Sequence, residues 1–99
     1  MRIEFELRAT EEMTFRVDGK DYGFSQLSPL ARKENYKTHV HEYVYRLPTG
    51  KFIHVTVVGN AVHNHALGVT TGWYQVDELS ESDALFYTEA LAKFTALNA

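Results

Sequence analysis

The chain has no cysteine, which removes disulfides, thiolate metal sites and cysteine nucleophiles together. It has 2 prolines and 6 glycines, and the glycines are scattered through turns rather than gathered into a phosphate-binding loop. No apolar run approaches the ~20 residues of a membrane span. The opening stretch Met1–Leu7 alternates instead of forming the apolar stretch of a signal peptide. Neither sign of charge dominates: 10 Lys and Arg stand against 13 Asp and Glu, with a pI near 5.9. That balance gives no electrostatic footprint for nucleic acid. The serines at 25, 28, 80 and 82 lie in no Gly-x-Ser-x-Gly elbow. These absences point to a cytoplasmic protein with neither a nucleic-acid nor a membrane partner.

The 99 residues are 44% hydrophobic and 23% charged, which suits one globular domain spanning residues 1–99. Ile3, Phe5 and Leu7 alternate with Arg2, Glu4, Glu6 and Arg8, the pattern of a half-buried strand. Val17-Asp18-Gly19-Lys20 is a type I′ hairpin signature that pairs Phe15 with Tyr22, Met13 with Phe24 and Arg16 with Asp21. Ser28-Pro29 fits a helix start, which predicts a short helix from Pro29 to about Asn35 carrying a basic patch of Arg32, Lys33 and Lys37.

All five histidines fall between His39 and His65, in a stretch with little fixed charge. Leu47-Pro48-Thr49-Gly50-Lys51 reads as a three-residue hairpin loop, placing Val44 opposite His54. Val58-Gly59-Asn60-Ala61 reads as a type II′ turn, placing His54 opposite His65 and Thr56 opposite His63. Alternation then puts Tyr43, Tyr45, Ile53, Val55, Val57, Val62 and Ala66 on the core side. Glu42, Val44, His54, Thr56, His63 and His65 share the other face, while His39 and His41 fall opposite them near the sheet's end.

Gly68–Gly72 reads as a turn and Trp73–Val76 as a short last strand. Ser80 then caps a C-terminal helix with Asp83 in capping-box spacing. Phe86, Tyr87, Ala90, Leu91, Phe94 and Leu97 form its sheet-facing side, and Leu85, Ala92 and Ala96 a thinner second stripe. The expected fold is α+β: an antiparallel meander of about six or seven strands, curled or partly closed, with the helix packed on the sheet.

Two functional readings follow. The favoured one is a small non-enzymatic binding module, inhibitor-like or ligand-sequestering. It would take a protein or small-molecule ligand through a charge-poor sheet face bearing His54, His63, His65 and Thr56, with Trp73 at its edge, and no cofactor is expected. The alternative is a small metal-dependent enzyme or metal sensor. There His54, His63 and His65 would hold zinc with an open fourth position, and Glu42 would accept a proton. Either reading admits a homodimer through an open sheet edge or the Leu85, Ala92 and Ala96 stripe. Ile53-His54-Val55-Thr56-Val57 also resembles the His-x-Thr motif of the 2H phosphoesterases, in which His and Thr on one strand face contact a phosphate. That family carries two such motifs and this chain carries one.

Overall fold

A computed structural model of the chain describes residues 2–8, 10–59 and 69–98. The elements in chain order are β1 (Arg2–Arg8), β2 (Thr14–Val17), β3 (Lys20–Gly23), a 3-10 turn (Phe24–Gln26), β4 (Ser28–Asn35), β5 (Val40–Arg46), β6 (Phe52–Gly59), β7 (Val69–Leu79) and α1 (Glu81–Asn98). The fold is α+β and antiparallel, with the C-terminal helix packed on the sheet.

Five strands form one open sheet in the order β1-β7-β6-β5-β4. It is neither closed nor a meander throughout, because β1 adds beside β7 at the far edge while β2 and β3 form a separate hairpin. The hairpin leaves the sheet for a physical reason. Phe15, Val17 and Tyr22 all point to one side, so lying flat across β5, β6 and β7 buries them against Tyr45, Ile53, Val55 and Tyr74. Tyr74 fastens the hairpin, its hydroxyl accepting from the Arg16 N–H at 3.0 Å. The β2–β3 turn is as expected, with Asp18 and Gly19 at positive φ and Phe15 opposite Tyr22. Pairing ends at Gly23, however, and Phe24 turns into the 3-10 segment instead of facing Met13.

The loop between β5 and β6 also follows the sequence: Leu47 N donates to the Lys51 carbonyl, and Gly50 takes φ +92°. Its register puts Val44 opposite His54 and Glu42 opposite Thr56.

Three local expectations are overturned. Pro29–Asn35 is not a helix but most of edge strand β4, paired with β5. Asn35 explains the reversal, since its Oδ1 accepts from the Lys37 and Thr38 N–H groups and turns the chain back, and a register shift between Pro29 and Ala31 accommodates the proline. Second, Val58-Gly59-Asn60-Ala61 does not begin a tight turn at Gly59, which is extended at the end of β6 and pairs with Gly72. Third, residues 69–72 are strand, not turn. Gly72 serves close packing there, because a Cβ would run into the Val58 carbonyl oxygen and crowd the Phe5 ring.

On the other side of the sheet α1 lies chiefly along β4, with lesser contact to β5, β6 and β7. Ser80 caps it, Oγ accepting from Asp83 N–H at 3.2 Å. Ala84 and Leu91 are buried and Tyr87, Thr88 and Phe94 half-buried, so the seated face is rotated from the expected one. Phe86 and Ala90 point outward, Phe86 being 68% exposed, as does Leu85 at 62%. In this orientation Tyr87 stacks on His54 of the sheet. Among the described residues no helix is long and apolar enough to cross a membrane.

Candidate functional site

Strand registers lay the helix-side face out in rows. One runs Ala31, Val44, His54, Asp77; the next runs Lys33, Glu42, Thr56, Gln75, Arg2; the third runs Asn35, Val40, Val58, Trp73, Glu4. The expected sharing of a face by Glu42, His54 and Thr56 is present. The edge of β6 expected to receive His65 and His63 instead receives Asp77 opposite His54 and Gln75 opposite Thr56. His63 and His65 themselves lie outside the described residues, as does the expected strand that carries them.

His54 is the centre of a polar cluster. Its Nε2 lies 3.1 Å from Glu42 Oε1, a distance at which an imidazole N–H donates to a carboxylate. Lys33 Nζ sits 3.6 Å from the other Glu42 oxygen and 4.2 Å from the centre of the Phe94 ring, so one ammonium serves both a carboxylate and an aromatic face. The His54 ring stacks on Tyr87 at 4.8 Å between centroids and 13° between planes. With 9% of its surface exposed, His54 is shut between β6 and α1. An oriented imidazole–carboxylate pair can move a proton, but here the imidazole is buried and capped by the Tyr87 ring. Among the described residues no group of three or more His, Asp or Glu is arranged to hold a metal ion.

His41 is on the opposite face, as expected, with the Tyr36 ring 5.1 Å and the Tyr43 ring 6.5 Å away. His39 is at the β4–β5 turn with φ +58°.

Trp73 is half-buried on β7, with the Arg2 guanidinium 4.1 Å above its ring. It walls a cleft of about 530 Å³ lined by Glu4, Thr38, His39, Val58 and Thr71. This opening combines an indole surface with a carboxylate, two hydroxyls and an imidazole, the mixture that fixes a small ligand's position and orientation. Sequence reasoning reached Trp73 but missed Glu4, Thr38 and Thr71, because β1 meets β7 only through a pairing of residues about seventy apart in the chain. It also missed Lys33, assigned to a helix, and Tyr87 as the lid over His54. Tyr87 was within reach, since its spacing from Leu91 already placed it on the sheet-facing side.

No protein-family model, curated protein or solved structure matches this chain, so its functional reading rests on the chemistry of the site.

Proposed function

We propose that this chain is a small non-enzymatic binding module, inhibitor-like or ligand-sequestering, and that its ligand seats in the cleft beside Trp73. The observation that carries the reading is the separation of the two candidate sites. His54 of the acid–base pair is buried against Tyr87 of α1, whereas the open cleft offers recognition groups around an indole wall. A fitting ligand has a flat apolar part to lie against Trp73 and hydrogen-bonding groups for Glu4, Thr38 and Thr71. The binding surface extends along the same face toward Thr56, two residues before Val58 on β6.

Trp73 is the only tryptophan, so its fluorescence reports on this cleft alone. The test is a fragment screen read by Trp73 emission and by amide shifts. Hits that move Thr38, Thr71 and Trp73 together and disappear in Trp73→Ala are expected, and binding that leaves those residues unmoved counts against the cleft. Elemental analysis should accompany the screen. Stoichiometric zinc that vanishes in His63→Ala would favour the three-histidine centre instead.

A further inference from the structure

The two edges of the five-stranded sheet differ in a way that assigns one of them a partner. β4 is guarded: it carries Pro29, a register shift between Pro29 and Ala31, the cations Arg32 and Lys33, and α1 packed along it. These are the devices by which sheets avoid edge-to-edge association. β1 has charged residues too, but among the described residues it has no proline and no register shift. Its seven residues pair with β7 in unbroken register, contain no proline or glycine, and among the described residues leave the outer row of backbone groups outside the sheet's pairing. The β2–β3 hairpin also stands off from it, leaving a cleft of about 400 Å³ between Ile3 and Phe5 on one side and Thr14, Arg16 and Asp21 on the other.

β1 reads Arg2-Ile3-Glu4-Phe5-Glu6-Leu7-Arg8, nearly the same in both directions. Antiparallel pairing with a second copy about a two-fold axis is therefore the arrangement to examine. In the register centred on Phe5 every charge meets its like, Arg2 against Arg8 and Glu4 against Glu6, which repels. Shifted so that the axis passes through Glu6, each Glu4 meets Arg8 of the partner subunit, and each Phe5 meets Leu7 of the partner subunit on the hairpin side. A single like-charge contact, between the two Glu6 side chains, remains on the axis. Arg8 is available for this, with its side chain 72% exposed and, among the described residues, a long 4.0 Å pair to Glu11. Arg2 is instead stacked on Trp73.

We propose that β1 is a dimerisation edge at which two copies of this chain join their sheets in that shifted register. The dimer forms independently of whatever ligand the Trp73 cleft takes, but Glu4 lines that cleft, so Arg8 of the partner subunit would stand at its rim.

Sedimentation equilibrium of the full chain tests this, comparing the unaltered protein with Glu4→Arg, Arg8→Glu and the two combined. All these positions are exposed, and circular dichroism confirms that each variant folds. Each single reversal turns two attractive pairs into repulsive ones and should weaken the dimer by roughly tenfold or more. The combined variant restores opposite charges and should recover the original affinity. Glu6→Gln, which relieves the contact on the axis, should tighten it. A monomer mass at every concentration overturns the proposal, whether or not β1 accepts a strand from another protein. A dimer indifferent to the single reversals, or not recovered by the combination, overturns it as well.

Discussion

On the hairpin side of the sheet Phe15, Ile53 and Val55 lose all contact with solvent and belong to one cluster of apolar and aromatic side chains. On the helix side Val44 is as deeply buried, but its neighbour across the strand is an imidazole held by a carboxylate that in turn pairs with an ammonium. The difference teaches where stability and polarity reside. The first face is held by burial of apolar area and ring contacts, with Phe15 lying 5.2 Å from Tyr74 and 6.2 Å from Tyr45. The second needs every polar partner in place, because a buried group left unpaired costs more than the pair contributes.

The largest expected effect lies on the first face. Phe15→Ala removes a fully buried ring between the hairpin and the sheet and should destabilise the fold by about 3–5 kcal/mol, read as a shift in the denaturation midpoint. A loss below about 1 kcal/mol would mean that the hairpin is not part of the cooperative core.

A smaller loss is expected across the sheet. His54→Ala leaves Glu42 without its imidazole but still beside Lys33, and takes the stacking partner from Tyr87, which should cost about 1–3 kcal/mol. Replacing both members, His54→Leu with Glu42→Leu, sharpens the contrast. Apolar groups of similar size remove the desolvation penalty together with the pair, so the double variant should be more stable than His54→Ala alone. If it is less stable, the pair is net favourable and the two faces are more alike than argued.

Local chemistry made some of this legible in the sequence. Asp18-Gly19 and Pro48-Thr49-Gly50 each specify a turn, a turn specifies a register, and a register sorts side chains by face. That is why Glu42, His54 and Thr56 could be placed on one face and Tyr43, Tyr45, Ile53, Val55 and Val57 on the other. What stayed illegible depends on contacts between distant segments. Nothing near β1 says that it pairs with β7, and Gly72 resembles a turn residue until Val58 and Phe5 are seen pressing on it. Ser28-Pro29 satisfies a helix start and an edge strand equally well, and the arbiter was the Asn35 turn that offers β5 as partner. The closure of His54 follows from where α1 docks, which the helix's own periodicity leaves open by a rotation large enough to expose Phe86 and seat Ala84.

The smallest effect also distinguishes the faces, and it is read in alkali. Tyr43 and Tyr45 stack at 5.6 Å on the hairpin side. Burial, and after it the nearby Glu34 carboxylate, pushes the Tyr43 phenol from its ordinary 10.0 up to about 12. Burial pushes Tyr45 up further still, with Tyr43 adding to it. A folded-state value above the unfolded one means that the neutral phenol's contribution is fully present below about pH 10. It is then lost as the pH climbs through the folded-state value, because the unfolded chain releases its proton first. The denaturation midpoint should therefore fall between about pH 10 and 12, and fall less steeply in Tyr43→Phe, which has no proton to lose there. His54→Ala should leave that slope unchanged, since its loss belongs to the other face. Part of the alkaline slope belongs to Lys51 and Tyr36, which Asp18 and Glu34 respectively push up. A slope wholly unchanged in Tyr43→Phe and in Tyr43→Phe combined with Tyr45→Phe would show that the two stacked phenols contribute nothing to it and that the hairpin face is wetter than its packing implies.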